Sequence, residues 1–419
     1  MPLDAPTLGL LSGAALAGAA GLRAAGGAAK LWLRDKNADA TTERRRERFA
    51  DKLDAALVWA RASNPSLKAW VGTRPFRVSA VVDESGDCRS YYLVPEDGRP
   101  LPRFAPGQYL TFHLPVAAEQ PPVVRCYSLS DRPRDDYYRV TVRRVPAPTD
   151  RPDLPLGQGS HYFHHEVHAG SRLDVEAPQG AFFLDPTDDA AIVLIGAGIG
   201  ITPVLSMAGA LAYARDPRPI YLVAGFRNSR EHPFRTRLAD LAEATPNLHL
   251  HTVYSRPLPV DRRGRDFDSL GRIDVARLQQ VLPANNFRYY LCGPGPLMES
   301  LVPALLDWGV PGEHIHYEAF GPASVRGLGA LAESEPCDVQ FARSGHTLRW
   351  EGAEGSLLAL AEQGGVRLDS GCRAGSCGQC RVGVLAGKVQ HAKQPGVELA
   401  EGECLACIAQ PAGDVTLDA

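Results

Sequence analysis

Five of the nine cysteines in this 419-residue chain lie between Cys372 and Cys407, and this crowding constrains the fold more than any other feature. Cys372, Cys377 and Cys380 form a C-x4-C-x2-C run, and Cys407 follows downstream. Four cysteines in this arrangement are the ligand pattern of a plant-type 2Fe-2S cluster. Structural zinc usually uses paired C-x2-C units, and secreted disulfide frameworks spread their cysteines more evenly. The run therefore predicts an iron-sulfur centre in a reducing compartment.

Glycines within the run and directly before it support this interpretation. Gly371, Gly375 and Gly378 allow the tight turns that bring three thiolates to one point. They also let backbone N–H groups approach the sulfurs, where hydrogen bonds tune the reduction potential. The cysteines outside the region are scattered, and all except Cys292 are expected to be small buried apolar residues. These scattered cysteines are Cys88, Cys126, Cys292 and Cys337.

The segment around the run resembles the plant-type ferredoxins. A strand pair is predicted around Ser344-Gly345 and a helix over 356–363, as in that family. The stretch from Cys407 to Pro411 has the Cys-x3-Pro ending that carries the family's fourth ligand. The resemblance therefore implies Cys407 as the fourth ligand, with Cys404 packed and not ligating.

The length of the chain indicates about three domains of ordinary size. A net charge of −3 gives no overall electrostatic reason to expect nucleic acid or anionic lipid as a partner. From 76 to 184 short alternating apolar runs predict an antiparallel β-barrel. From 190 onward buried-strand runs alternate with helices and predict a parallel α/β sheet. The predicted segments are a tail (1–40), a helix and connector (41–71), the barrel (72–187), the α/β domain (188–326), a linker (327–336) and an α+β ferredoxin domain of β-grasp type (337–419).

The N-terminal segment admits two interpretations. Residues 5–22 carry no charge and would span about 27 Å as a helix, close to the roughly 30 Å of a bilayer core. The run consists mostly of weakly apolar Ala and Gly, and basic residues follow it from Arg23 onward. It is therefore either a membrane anchor that leaves the catalytic domains on the cytoplasmic face or a disordered or peripheral tail. In both cases the folded domains are expected in the cytoplasm.

An Arg-Cys-Tyr-Ser stretch closes a strand of the predicted barrel, and Arg125, Tyr127 and Ser128 within it suit a flavin. An arginine neutralises a phosphate bidentately, a tyrosine ring stacks on an isoalloxazine, and a serine reaches its polar edge. Here the sequence resembles the ferredoxin-NADP reductase superfamily and, within it, the reductase half of flavohaemoglobins. The resemblance implies that these three residues bind FAD and that Ser128 also acts in catalysis.

A second part of the flavin site is expected where a short helix opens. The resemblance assigns Gly159 and Ser160 to the pyrophosphate, because small residues there present free N–H groups. This likeness favours FAD, with FMN as the alternative in reductases of the same domain order. The histidines that follow include His164 and His168, expected on one helix face. Without a carboxylate pattern beside them, a solvent-facing helix is favoured over a metal site.

Two glycine-containing turns, each after a buried strand, indicate dinucleotide binding. The first turn is G-x-G-x-G and not the common G-x-G-x-x-G, but its Thr-Pro ending matches the superfamily's own nucleotide loop. The second resembles the family's Cys-Gly-Pro motif, which implies that Cys292 lies beside the reacting nicotinamide carbon as a positioning group. The residues assigned to the cofactor are Gly196, Gly198, Gly200, Thr202, Pro203, Gly293 and Pro294.

Further residues follow from the same resemblance. Phe320 matches the aromatic residue that covers the flavin where nicotinamide enters, and it joins Cys292 among the catalytic residues. Arg227 and Arg256 follow two successive strands, where the family contacts the adenosine ribose. An arginine there suits the 2′-phosphate of NADPH, but related NADH enzymes carry one as well, so the cofactor is predicted only as NAD(P)H.

The resemblance covers residues 74–419, with the motifs in family order. It implies that NAD(P)H gives a hydride to FAD and that a 2Fe-2S cluster near about −400 mV accepts the electrons singly. We therefore expect a reductase that serves a terminal oxygenase, desaturase or haem monooxygenase. One alternative is a self-contained oxidoreductase acting on a small acceptor, although residues 1–70 look too short and alanine-rich for a globin. The other is a cofactor-free scaffold, and the intact cysteine quartet argues against it.

Overall fold

The computed structural model describes residues 56–62, 64, 68–117, 122–146, 157–185, 188–320, 335–352, 355–375, 377–392, 395 and 397–419. From residue 59 onward they belong to one compact unit, Trp59–Ala419. Residues 56–62 are helical, while the earlier residues of the predicted helix and connector (41–71) lie outside the described residues. So do the uncharged run at 5–22 and most of the predicted linker. Within the described ranges no helix has the length and apolarity needed to cross a bilayer.

The first part of the unit is a six-stranded antiparallel sheet, called the β domain below. Strand β6 and the first half of β1 alternate exposed and buried side chains, whereas β3 and β5 are buried at nearly every position. The core of the domain holds Phe76, Tyr91, Phe112 and Phe163, all fully buried. The sheet order is β4-β3-β6-β1-β2-β5, as expected for the predicted antiparallel domain. The elements are β1 (Thr73–Ser85), β2 (Cys88–Pro95), β3 (Tyr109–Leu114), β4 (Val123–Ser128), β5 (Tyr138–Arg143), α1 (Gln158–His165) and β6 (Arg172–Glu176).

Helix α1 is shorter than the histidine pattern suggested. It ends at His165, and Glu166 caps it. His168 lies beyond the helix in a turn, where the Ser171 N–H donates to the His168 carbonyl at 3.0 Å. The expectation that His164 and His168 share a helix face is therefore wrong. His164 instead contacts the sheet, with Nε2 2.9 Å from the Val142 carbonyl oxygen.

The second part is a six-stranded parallel sheet with helices, called the nucleotide domain below, and it confirms the predicted α/β fold. The sheet order is β10-β9-β8-β7-β11-β12, so the chain starts in the middle and crosses over between β10 and β11. Ligands of such sheets bind at the carboxyl ends of the strands beside that switch point, between β7 and β11. The elements are β7 (Ile192–Ala197), α2 (Ile201–Ala214), β8 (Ile220–Phe226), α3 (Arg235–Ala244), β9 (Leu248–Tyr254), β10 (Ser269–Leu270), α4 (Val275–Val281), β11 (Arg288–Gly293), α5 (Gly295–Asp307) and β12 (Ile315–Ala319).

A buried histidine in the nucleotide domain makes stability depend on pH. His232 stacks on Phe226 with ring centroids 3.9 Å apart, and its Nδ1 lies 2.8 Å from the Tyr254 hydroxyl. Burial, and next the charge of Arg235, lower the pKa of His232 from 6.5 to about 3. Protonation below pH 6.5 therefore favours the unfolded chain. The stabilisation is complete above that pH and is lost as the pH falls towards 3.

We expect His232→Asn to remove this pH dependence. The wild-type free energy of unfolding should fall by about 1.4 kcal/mol for each pH unit below 6.5 on account of this group. Asparagine does not titrate, so the variant should lack that part of the slope. Urea unfolding between pH 4 and 7 measures the difference, with His346→Asn, at an exposed position, as the control. Equal slopes for His232→Asn and wild type would contradict the assignment.

The third part is an α+β unit called the ferredoxin domain below. Its mixed sheet has the order β14-β13-β19-β15-β17, with β16 and β18 forming a separate pair. The core contains Trp350, Phe341 and Leu357, all fully buried, and the Ser356 hydroxyl caps the first helical turn. The predicted hairpin and helix of this domain are both present. The elements are β13 (Cys337–Phe341), β14 (His346–Trp350), α6 (Leu357–Gln363), β15 (Arg381–Ala386), β16 (Val389–His391), β17 (Glu403–Leu405), β18 (Ala409–Pro411) and β19 (Val415–Leu417).

Candidate functional site

The loop between α6 and β15 wraps backbone N–H groups around cysteine sulfurs. The Cys372 N–H donates to Cys377 Sγ at 3.2 Å, and the Cys377 N–H donates back to Cys372 Sγ at 3.3 Å. The Gly375 N–H donates to Cys407 Sγ at 3.3 Å. Gly375 and Gly378 have φ angles of 73° and 74°, a region where glycine carries no steric penalty. The glycines thus allow N–H···S bonds of the kind the sequence predicted.

The four cysteines meet as two pairs. Cys372 and Cys377 share the hydrogen bonds above, while a hydrogen bond from Cys407 lowers the pKa of Cys380. Among the described residues, no group of three or more Cys, His, Asp or Glu side chains is arranged to hold a single metal ion. Two pairs suit a binuclear cluster, in which each iron takes two protein ligands. The donor set and the N–H···S bonds therefore fit a 2Fe-2S cluster.

Cys404 lies three residues before Cys407 but has different surroundings. It sits within β17 opposite Val382 and is fully buried in the core of the ferredoxin domain. Burial raises the pKa of its thiol to about 12. Its environment is thus that of a packed core cysteine.

Strand β4 and the start of α1 form a cradle in the β domain. A Cβ at Gly159 would lie 2.6 Å from Arg125 Cγ and 2.9 Å from the Tyr127 hydroxyl oxygen, so only glycine fits there. Burial lowers the pKa of Arg125, and next the charge of Arg373 lowers it further. No carboxylate among the described residues forms an ion pair with Arg125, which leaves its charge available for a phosphate. The cradle therefore fits a flavin phosphate.

Two serines predicted for the flavin site lie at its edges. Ser128 is the last residue of β4, is 6% exposed, and stands opposite Tyr109 of β3. Ser160 lies in the first turn of α1. Its hydroxyl donates to the Gly157 carbonyl at 2.9 Å and accepts from the Val145 N–H at 3.1 Å. Ser160 thus uses its side chain to shape the loop that precedes α1.

The glycine-rich loop after β7 lies at the switch point of the parallel sheet. Gly198 has a φ of 55° and no heavy atom within 4 Å of the place where a Cβ would stand. Gly200 is the opposite case, since a Cβ there would lie 2.3 Å from the Cys292 carbonyl oxygen. Thr202 and Pro203 belong to the first turn of α2, where the Thr202 hydroxyl donates to the Ile199 carbonyl at 2.8 Å. The loop brings the start of α2, which attracts negative charge, against the end of β11.

Cys292 lies at the carboxyl end of β11, between Gly196 of β7 and Glu318 of β12. Burial, followed by the nearby Glu318 carboxylate, raises the pKa of Cys292 well above its usual value. It is therefore a neutral thiol, as expected of a positioning group and not of a nucleophile. Phe320 packs against the same core cluster as Cys292. Gly293 ends β11, and Pro294 caps α5.

The structure brings the two predicted arginines of the nucleotide domain together. Arg227 follows β8 and Arg256 follows β9, and the Arg256 N–H donates to the Arg227 carbonyl at 2.8 Å. The Arg227 guanidinium pairs with Glu231 at 3.0 Å. Both arginines thus lie at the carboxyl edge of the sheet, where the sequence predicted the adenosine end of the dinucleotide.

The sequence did not reveal where the three domains meet. Glu176, at the end of β6, accepts a hydrogen bond from Gln379 Nε2 of the cysteine loop at 3.1 Å, and its Oε1 lies 2.7 Å from His113 Nε2. Burial raises the pKa of Tyr109 well above its usual value. Nearby charges raise it further, and they belong to Cys126, Cys372, Cys377 and Glu318. The Tyr109 hydroxyl is buried and has no hydrogen-bond partner in the described part of the chain. These charges come from all three domains, so Tyr109 lies where the domains converge.

The β domain and the nucleotide domain are joined at Asp131. Arg237 of α3 pairs with its carboxylate at 2.6 Å, and the Ser206 hydroxyl of α2 donates to its carbonyl at 2.6 Å. Asp131 and Ser206 are both buried. Because one residue receives both contacts, the flavin cradle and the nucleotide loop are held in a fixed relation.

This fold and site define an oxidoreductase with flavin, nicotinamide and iron-sulfur domains. Three family models match the chain: the oxidoreductase FAD-binding domain (75–184), the oxidoreductase NAD-binding domain (194–302) and the 2Fe-2S iron-sulfur cluster binding domain (339–412). They confirm the predicted FAD, NAD(P) and 2Fe-2S cofactors.

Individual relatives agree with the family models. The flavohemoprotein of Halalkalibacterium halodurans is 37% identical over 265 residues, 63% of this chain and 62% of that protein. The flavohem-like FAD/NAD-binding domain of the Vibrio cholerae nitric oxide dioxygenase is 31% identical with a TM-score of 0.53, and the match covers 60% of this chain and 100% of that domain. Phthalate dioxygenase reductase shares the fold, with 24% identity and a TM-score of 0.52, over 83% of this chain and 98% of that one.

The chain belongs to the ferredoxin-NADP reductase superfamily, as a flavohaemoglobin-like FAD/NAD(P) reductase module followed by a plant-type 2Fe-2S ferredoxin domain. It is an NAD(P)H-dependent oxidoreductase of the ferredoxin-reductase type. The chain spans about 62% of the length of the Halalkalibacterium flavohemoprotein.

Proposed function

We propose that this protein takes electron pairs from NAD(P)H and delivers single electrons to a separate redox protein, such as a terminal oxygenase, a desaturase or a haem monooxygenase. When bound, FAD accepts a hydride and the 2Fe-2S cluster carries one electron at a time, so together they link two-electron to one-electron chemistry. Phthalate dioxygenase reductase, a modular structure for electron transfer from pyridine nucleotides to 2Fe-2S, has the same fold over most of this chain, which supports the proposal.

The observation that carries the proposal is the contact between the cysteine loop and the flavin strand. A Cβ at Gly371 would lie 2.9 Å from Cys377 Sγ and 3.5 Å from Cys126 Sγ, so residues of the two domains approach one backbone position. The hydrogen bond from Gln379 to Glu176 holds the loop at the same place. The cysteines therefore stand next to the strand that carries Arg125 and Tyr127, within reach for electron transfer from a flavin held there.

The proposal gives the predicted residues distinct roles. Cys292, a neutral thiol at the switch point, positions the nicotinamide, and Phe320 covers the flavin until the nucleotide enters. Arg125, Tyr127, Ser128 and the Gly159-Ser160 turn hold the flavin. The nucleotide is held by Gly196, Gly198, Gly200, Thr202, Pro203, Arg227, Arg256, Gly293 and Pro294, and the cluster ligands are Cys372, Cys377, Cys380 and Cys407.

Anaerobic titration with NADH and then NADPH tests the proposal. We expect either nucleotide, or both, to bleach the flavin and the cluster absorbance together. Addition of oxidised cytochrome c as a one-electron protein acceptor should then restore both, with two cytochromes reduced for each nucleotide consumed. Bleaching of the flavin alone, with the cluster left oxidised, would overturn the proposed route.

A further inference from the structure

A carboxylate at the end of β6 is shared between two domains. Glu176 Oε1 accepts a hydrogen bond from Gln379 Nε2 of the cysteine loop at 3.1 Å and lies 2.7 Å from His113 Nε2. Its other oxygen, Oε2, accepts from Gln179 Nε2 at 3.2 Å. The Glu176 side chain is only 13% exposed, so it is largely shielded from water. A hydrogen bond to an ionised carboxylate is roughly twice as strong as one between neutral groups.

Within the β domain, Glu176 is tied to both ends of β3, the strand beside the flavin cradle. His113 lies near the end of β3, and Tyr109 is its first residue. The backbone of Gln179 pairs with that of Tyr109 through two hydrogen bonds, at 2.9 and 3.0 Å. Between these two ends, β3 pairs with residues 124–128 of β4, which carry the cradle. The carboxylate is therefore fixed relative to the flavin strand.

In the ferredoxin domain, the partner of the carboxylate lies inside the cysteine run. Gln379 stands between Cys377 and Cys380. A Cβ at Gly371 would lie 3.2 Å from Gln379 Cγ and 2.9 Å from Cys377 Sγ, so the glycine leaves room for the glutamine beside the loop backbone. The side chain that reaches Glu176 thus belongs to the same turn that gathers the thiols. One hydrogen bond connects this turn to the flavin-binding sheet.

We propose that Glu176 is a positioning residue that holds the cysteine loop against the β domain and thereby sets the rate at which an electron passes from the reduced flavin to the cluster. The proposal rests on the proposed function, in which the cysteines of this loop bind the cluster. The electron pair comes from NAD(P)H, and each transfer takes one electron from the reduced flavin and gives it to the oxidised cluster. A displacement of about 1 Å at a reacting site lowers its rate strongly, so an anchor beside the loop controls this step.

Stopped-flow reduction of the full-length holoprotein by NADH or NADPH tests the proposal, with the flavin and the cluster absorbance followed separately. Gln379→Leu keeps a similar volume but removes the donor, and Glu176→Ala removes the acceptor from the other domain. In both variants we expect cluster reduction, measured per cluster present, to slow about tenfold, because loss of a hydrogen bond to a charged group changes an equilibrium by about this factor. The flavin of Gln379→Leu should be reduced at the wild-type rate.

An exchange of the two side chains distinguishes positioning from a general effect on folding. Gln379→Glu sets two carboxylates against each other, so cluster reduction should slow more than in Gln379→Leu. Addition of Glu176→Gln to this variant recreates a donor and an acceptor with their roles reversed, and should recover most of the lost rate. Gln363→Leu, at an exposed position at the end of α6, is the matched control and should show the wild-type rate.

Wild-type rates of cluster reduction in both Gln379→Leu and Glu176→Ala would overturn the proposal. So would an exchanged pair that is no faster than Gln379→Glu alone. Failure of the proposed function looks different, since NAD(P)H would then reduce the flavin of the wild-type protein and leave its cluster oxidised.

Discussion

Cys407→Ala is expected to abolish electron delivery to a one-electron protein acceptor, lowering the rate by about two orders of magnitude or more, because cluster assembly needs all four thiolates. The Cys407 sulfur pairs with Cys380 and accepts the Gly375 N–H, so its loss would remove one of the four proposed ligands and one hydrogen bond of the loop. Flavin reduction by NAD(P)H uses the other two domains and should stay within about twofold of wild type. Iron and acid-labile sulfide content, together with cytochrome c reduction, measure the effect.

The control for this variant lies three residues away. Cys404→Ala removes another buried thiol, from β17, and should retain the cluster, at a stability cost of about 1 kcal/mol for a small cavity. Loss of iron from Cys404→Ala with retention in Cys407→Ala would reverse the ligand assignment. Retained cytochrome c reduction by a cluster-free Cys407→Ala would instead show that electrons reach the acceptor from the flavin without passing through the cluster.

Gly200→Ala is expected to lower kcat/KM for NAD(P)H about a hundredfold, because a displacement of about 1 Å at a hydride-transfer site has an effect of this size. The added methyl group would lie 2.3 Å from the Cys292 carbonyl oxygen and 2.6 Å from Gly293 Cα, both backbone atoms that cannot rotate away. The nucleotide loop and the end of β11 must therefore separate. Stopped-flow reduction of the flavin by NADH and NADPH measures the loss.

A second glycine of the same region provides the comparison. Gly209 lies within α2, where a Cβ would have its nearest neighbour at 3.6 Å, an ordinary van der Waals contact. Gly209→Ala should leave flavin reduction unchanged, because alanine also favours the helix. Wild-type rates in Gly200→Ala would show that the contact between the loop and β11 does not position the nicotinamide.

Most of the architecture could be predicted from the sequence, because its signals lie within short stretches of chain. The run from Ile192 to Ile195 is buried because helices cover both faces of a parallel sheet, and such strands read as continuous apolar runs. The cysteine loop was equally clear, since its spacing and its glycines act within about ten residues of chain. The strands and the candidate ligands could therefore be predicted, because each depends on residues close together in the sequence.

Contacts between domains left no such signal. Cys126 reads as an ordinary strand cysteine, and Glu176 as the end of an alternating strand, until the cysteine loop packs against them. The prediction that His164 and His168 share a helix face failed because residue periodicity does not show where a helix ends. Helix α1 ends at His165, before His168. Gln379 was a hint of the contact between domains. A long polar side chain is not needed for the tight turns of the cysteine loop, so it indicates a hydrogen-bond partner elsewhere.

The missing side chain at Gly371 has a consequence for how reductases of this kind can be recombined. A ferredoxin module taken from a relative brings its own residues to the positions that 371 and 379 occupy here, and they must meet a carboxylate at 176 and a compact group at 126. Exchange of the ferredoxin domain between family members therefore replaces only one side of the interface with the β domain. We expect functional chimeras when the residues at 371 and 379 and those at 126 and 176 come from the same parent protein.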